Sequence, residues 1–145
     1  MMTSQEYIIK SGFENMDTEA IYTYLSTESY WAKGIPFVTV NNAIKNSFCL
    51  GIFKEEKQVG FARLVTDYAT FAYLADVYIL EAHRNKGLSK ALMAHIMNLD
   101  WVAGLRRISL ATKDAHELYR QFGFESPAKP ETLMEITRPE IYQKK

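Results

Sequence analysis

Thr70-Phe71-Ala72-Tyr73-Leu74-Ala75-Asp76-Val77-Tyr78-Ile79-Leu80, followed by Glu81-Ala82-His83 and then Arg84-Asn85-Lys86-Gly87-Leu88-Ser89, decides how this chain folds. The first run is long and nearly all apolar, the pattern of a central strand buried on both faces. Leu88, Leu92, Ile96 and Leu99 then recur at helical spacing, which predicts a helix from near Ser89 to near Ala103-Gly104. The turn between them carries Gly87 and two cations, Arg84 and Lys86. Strand, glycine turn and helix N-terminus in that order aim backbone N–H groups and the positive end of a helix dipole at one point. An anion fits there, held chiefly by the amides of residues 85–89.

Outward from this unit, the upstream chain reads as strands. Phe48 to Leu80 holds three strand-like runs, separated by Glu55-Glu56-Lys57-Gln58 and by Asp67-Tyr68-Ala69, which predicts an antiparallel meander. Before it come a short strand, Tyr7-Ile8-Ile9-Lys10, and a helix capped by Asp17 with Ile21, Tyr24 and Leu25 on its apolar face. Ser29 to Phe37 mixes aromatics with Gly34 and Pro36 and reads as an irregular loop, after which Thr39 is the expected cap of a short helix. Downstream, Arg107 to Thr112 reads as a strand. Asp114 and Glu117 have capping-box spacing for a short helix ending at Gly123, and Thr132 to Ile136 reads as a last strand. The order predicts a mixed α/β domain: one mostly antiparallel sheet, helices on both faces, and a ligand at the open strand ends.

With 145 residues, 48% hydrophobic and 13% aromatic, residues 1–145 suit one domain. Lys plus Arg equals Asp plus Glu at 17 each, so the overall field proposes neither nucleic acid nor an anionic membrane as partner. The one cysteine, Cys49, lies in an apolar run and has no partner for an intrachain disulfide, which suits a reducing compartment. Met1 to Lys10 lacks a signal-peptide core and no run reaches the roughly 20 apolar residues of a membrane span, so a cytoplasmic protein is expected. His83, His95 and His116 show no metal-ligand spacing, and no metal is expected.

Neither a Walker phosphate loop nor a Gly-x-Gly-x-x-Gly dinucleotide fingerprint is present. Val77-Tyr78-Ile79-Leu80 followed by Arg84 to Ser89 resembles instead the acetyl-CoA signature of the GNAT superfamily of N-acetyltransferases, Gln/Arg-x-x-Gly-x-Gly/Ala after a strand. Asp114 to Phe124, with Leu118-Tyr119 and Gly123-Phe124, is similar to the later helix of that superfamily, and the element order agrees over nearly the whole chain. Ser89 stands in place of the usual small residue, Asn85 in place of a common glycine and Glu81 where proline is frequent.

The resemblance implies a splayed central strand pair. Acetyl-CoA is then the cosubstrate, with its pantetheine arm along the backbone of Val77, Tyr78 and Ile79 and its pyrophosphate on Arg84, Asn85, Lys86, Gly87, Leu88 and Ser89. Asp114 falls near a cofactor-contacting position. Tyr119 matches the tyrosine near the sulfur, where a phenol can serve the departing thiolate. From the residues alone, Asp76 is conspicuous as an ionisable group in an apolar strand, either a base for the incoming amine or a partner for backbone groups at a bulge. Tyr30, Trp31, Phe37, Phe71 and Tyr73 are candidate walls for an amine substrate, or else core. The implied activity is direct acetyl transfer to the amine of a small molecule or peptide; the competing readings are a non-catalytic acyl-CoA-binding sensor and a plain interaction domain. A homodimer remains open.

Overall fold

The computed structural model describes residues 6–143. The elements are β1 (Ile8–Ser11), α1 (Thr18–Thr27), α2 (Phe37–Lys45), β2 (Phe48–Lys54), β3 (Lys57–Thr66), β4 (Phe71–Ile79), α3 (Leu88–Met97), α4 (Asp100–Ala103), β5 (Arg107–Ser109) and α5 (His116–Arg120). The strands form one sheet in the order β1-β2-β3-β4-β5, antiparallel throughout except for the parallel pair β4 and β5. The meander forms because Glu55 and Glu56 both take positive φ, 50° and 68°, giving a two-residue hairpin turn; Lys57 and Gln58 already lie in β3.

Each face of the sheet carries its own core. Leu50, Ile52, Ala62, Leu64 and Leu74 face Leu88, Leu92 and Ile96 of α3 together with Val102 of α4. Cys49, Phe53, Phe61 and Tyr78 face Ile21 and Leu25 of α1 and Val40 and Ile44 of α2. Fully burying an aliphatic or Phe side chain stabilises by about 1.5–3 kcal/mol, so both helical layers are held by burial rather than by their own propensity.

The side chains of β4 change sides partway along. Ala72 and Leu74 belong to the α3 core, yet Tyr78, an even number of residues further on, belongs to the α1 core. A β-bulge causes the inversion: the register with β3 shifts between Phe61 and Arg63, and Asp76 adopts φ 58°. One extra residue reverses every side chain that follows.

Polar anchors fix the ends of α1. Asp17 caps it as expected, its Oδ1 accepting from the Ala20 amide, while the Asp17 amide donates to Oε1 of buried Gln58 on β3 at 2.8 Å. At the other end buried Ser29 donates to the Leu25 carbonyl and accepts from the Ala32 amide, which sets the loop bearing Tyr30 and Trp31.

Several local expectations are corrected. β4 is buried on both faces only at its end, because Phe71 and Tyr73 lie at the exposed margin of the sheet. Pro36, not Thr39, precedes α2, and its fixed φ of −70° starts the helix without a side-chain cap. The helix after the glycine turn stops at Met97, and Leu99 precedes the separate α4. β5 ends at Ser109, where β4 and β5 part. Asp114 is not a cap: Ala115 precedes α5, and its amide donates to Thr112 Oγ1 at 3.0 Å. Thr132 to Ile136 forms no strand; Pro130–Thr132 is a 3-10 turn, and the residues after it run on exposed, without a strand neighbour.

Candidate active site

β4 and β5 pair only over Phe71–Tyr73 with Arg107–Ser109, then diverge. The gap opens into a cleft of about 560 Å³ between Leu74 to Val77 on one side and Leu110 to Ala115 on the other. Divergence leaves the backbone of Leu110 to Thr112 outside the ladder, so donors and acceptors line the gap for an extended ligand to meet.

At the end of β4 lies the glycine turn. Gly87, at φ 79°, is the residue before α3, and Asn85 is also left-handed at φ 64°. No side chain caps α3, so the amides of its first turn, Ser89 included, face outward with the positive helix end behind them. Lys86 is exposed beside them. Arg84 does not present a free guanidinium: its Nε donates to the Ile79 carbonyl at 2.9 Å and its Nη2 to the Tyr24 hydroxyl at 3.2 Å. It clamps the turn onto the end of β4 and onto α1. Tyr24 in turn stacks on Tyr78, with ring centroids 3.9 Å apart. The same end of the sheet is basic. His83, bonded to the Tyr7 hydroxyl, is held below its ordinary pKa by desolvation and then by Lys54, Lys57 and Lys86.

Tyr119 projects from α5 into the cleft, 8% exposed and edge-on to Phe124. Burial, then Tyr30 and Asp114, raise its pKa. The phenol is therefore protonated throughout the neutral range. Val77 lines the cleft wall, whereas Tyr78 and Ile79 point their side chains into the two cores and contribute only backbone here. Asp114 sits at the exposed rim.

Asp76 stands at the bulge with both carboxylate oxygens engaged. Oδ2 accepts from Arg63 Nε at 2.7 Å, Oδ1 accepts from Trp31 Nε1 at 2.7 Å, and Arg63 Nη1 reaches Ser47 Oγ at 2.9 Å. This chain of contacts holds the α1–α2 loop over the bulge. Tyr30 stacks edge-on to Trp31, its hydroxyl accepts from the Lys113 amide at 3.3 Å, and Lys113 Nζ lies 5.3 Å from the centre of its ring.

Of the expected acceptor walls, Tyr30, Trp31 and Tyr73 line the cleft together. Phe71 does not reach it, because it sits at the paired, closed end of β4, and Phe37 packs edge-on to Tyr22 on the far side of α1. Arg63 and Tyr142 are among the lining residues that had not been anticipated. Arg63 interrupts the apolar run Gly60-Phe61-Ala62-Arg63-Leu64-Val65 one strand away from Asp76, a signal of charge pairing readable in the sequence. Tyr142 arrives from the C-terminal segment; its carbonyl approaches Gly34 so closely that a Cβ there would lie 2.7 Å from it, and Gly34 itself has φ 85°. Nothing local in the sequence announces that contact.

Cys49 contributes no nucleophile. Burial pushes its thiol up to about 12, against a smaller opposing effect of Arg63. Among the described residues no group of His, Cys, Asp or Glu could hold a metal ion, and no helix is long and apolar enough to cross a membrane.

Comparison with known proteins identifies a family and a shared fold. The family model described as Acetyltransferase (GNAT) family matches residues 18–124. A protein of Gibberella zeae described as "Putative acetyltransferase FG08082" is 30% identical over 138 residues, covering 81% of this chain and 77% of its own length. A crystal structure of a GNAT-family protein from Xanthomonas campestris pv. campestris superposes with a TM-score of 0.93 at 46% identity, over 95% of this chain and 97% of that one. A Deinococcus radiodurans R1 protein at 14% identity shares the fold, with a TM-score of 0.74 over 97% and 94% of the two chains.

Proposed function

This chain belongs to the acetyltransferase (GNAT) family, and on that premise we propose that it is an N-acetyltransferase moving the acetyl group of acetyl-CoA directly to an amine. The observation that carries the proposal is the gap between β4 and β5, which holds the Tyr119 phenol, with the uncapped start of α3 following the end of β4 in the chain. The amides of residues 85–89 bind the pyrophosphate, Lys86 adds charge, and the parted strands receive the pantetheine arm. The amine nitrogen forms a bond to the acetyl carbon, the carbon–sulfur bond breaks, and the thiolate leaves against the Tyr119 hydroxyl. No acyl-enzyme intermediate is needed, and Cys49 is the wrong thiol for one.

Asp76 positions rather than removes a proton. Both of its oxygens already accept hydrogen bonds, from a guanidinium and an indole, so the ammonium proton leaves through water. Its work is to hold Trp31 as a wall of the acceptor site. With Tyr30, Trp31 and Tyr73 around it, that site suits a small-molecule or peptide amine on an apolar or aromatic stem. The single buried thiol suits the reducing cytoplasm.

Two measurements test this reading. Incubation with acetyl-CoA and a panel of amines should release free thiol saturably; tight acetyl-CoA binding without turnover on any amine would instead identify a sensor, and no binding would end both readings. Asp76→Asn suits the left-handed position but can accept from only one of Trp31 and Arg63, setting its NH2 donor against the other and loosening the loop that carries Trp31. It is expected to raise acceptor KM about tenfold and to lower kcat by less than about tenfold. A kcat loss of about a thousandfold at unchanged KM would make Asp76 the base after all.

A further inference from the structure

The loop that carries Tyr30 and Trp31 runs on to Gly34, and Gly34 is the seat of a residue far away in the chain. Its amide donates to the Ser26 carbonyl at 2.9 Å, which ties the loop back onto α1, and its φ of 85° belongs to the left-handed region. The Tyr142 carbonyl rests where a side chain would begin: a Cβ on Gly34 would lie 2.7 Å from that oxygen and 3.8 Å from Tyr142 Cβ. Only glycine allows both the backbone angle and the close approach.

Tyr142 differs from the segment that delivers it. Leu133, Met134, Ile136 and Ile141 are all exposed, whereas Tyr142 is partly buried, packs against the cluster that holds Ala32 and Ile35, and lines the cleft together with Trp31. Two successive turns hold it there, with the Ile141 amide donating to the Arg138 carbonyl and the Gln143 amide to the Glu140 carbonyl. Trp31 is fixed from the sheet through Asp76, and Tyr142 is fixed from the loop through Gly34. Space in the cleft is short. Its volume of about 560 Å³ is within the range that one drug-sized ligand fills, and the pantetheine arm and thioester take part of it.

We infer that Tyr142 is a specificity-determining residue of the acceptor site, continuing the aromatic wall begun by Trp31 and confining the enzyme to amines on a compact apolar stem, no larger than one ring. This assignment rests on the acetyl-transfer reading and names the substrate class for it.

Thiol release from acetyl-CoA with benzylamine and with the longer biphenylmethylamine tests the inference. One methylene of misfit in an apolar pocket is worth about 10- to 200-fold, so the wild type should favour benzylamine at least about tenfold in kcat/KM. Tyr142→Ala should narrow that preference at least about tenfold and leave the Kd of acetyl-CoA within about twofold. Gly34→Ala keeps the ring but pushes its backbone off the seat, and should narrow the preference in the same direction. The preference is a ratio measured on one preparation, so any loss of folded protein cancels, and a purely structural role for Tyr142 would leave it unchanged. A wild type without the preference, a Tyr142→Ala protein that retains it, or thiol release only with amines of another kind overturns the inference alone. Absence of thiol release with every amine overturns the acetyl-transfer reading and this inference with it.

Discussion

Tyr119→Phe is expected to lower kcat about a hundredfold and to leave KM for acetyl-CoA within about twofold. The ring is packed edge-on to Phe124 and is nearly buried, so Phe keeps the packing and removes only the hydroxyl. Burial raises the phenol pKa above its ordinary value. Complete proton transfer to a thiolate whose conjugate acid lies near 8.5 is therefore uphill by more than about 1.5 pKa units, or about 2 kcal/mol. The hydroxyl accordingly stabilises sulfur by a hydrogen bond as the carbon–sulfur bond breaks. A hydrogen bond to a charged group contributes about 1.5–3 kcal/mol, a factor of about 10 to 150 in rate. The pH dependence has a definite sign. A phenol with a raised pKa stays protonated as pH climbs, so wild-type kcat/KM should rise as the acceptor amine deprotonates, with no falling limb from Tyr119 below about pH 10. Steady-state thiol release across pH measures both effects; a variant with wild-type kcat would remove Tyr119 from the reaction.

The strand order and the glycine turn were legible because each rests on a local pattern: apolar runs in β2 and β3, a polar turn between them, helical spacing from Leu88 onward. The behaviour of Asp76 was only half legible. An acid in an apolar run announces a special position, but its left-handed backbone and the inversion of β4 after it come from pairing with β3 and from the Arg63 ion pair, partners set by tertiary structure. Arg84 misleads in a similar way. Its place in a basic turn suggests a free cation, while the chain end it closes on, the Ile79 carbonyl, is what uses it. The Asp114 cap failed because the helix starts one residue later than expected, after Ala115, whose own amide is held by Thr112 Oγ1. The last strand was a sound reading of composition. A strand also needs a neighbour, and among the described residues Thr132 to Ile136 pairs with none.

Gly87→Glu should weaken acetyl-CoA binding about a hundredfold, and the comparison with Gly87→Ala separates the two reasons a side chain is unwelcome there. At φ 79° any L-residue is strained, by roughly 1–2 kcal/mol, a cost borne by the folded protein with or without ligand. Alanine adds that strain and little else, so it should lower the unfolding midpoint while changing affinity less than about fivefold. Glutamate adds a negative charge at the start of α3, next to the amides that receive the pyrophosphate. Two unit charges about 4 Å apart repel by about 4 kcal/mol at an effective dielectric of 20, and solvent screening at this exposed turn reduces that to about 2–3 kcal/mol, a factor of about 30 to 150 in Kd. Because the penalty is Coulombic, it should shrink as salt is raised, while the stability loss shared with alanine should not. Isothermal titration of acetyl-CoA into the three proteins at low and high ionic strength resolves these contributions. Equal affinities for the glutamate variant and the wild type would mean that the anion is not held at the start of α3, and the assignment of residues 84–89 would fall with it.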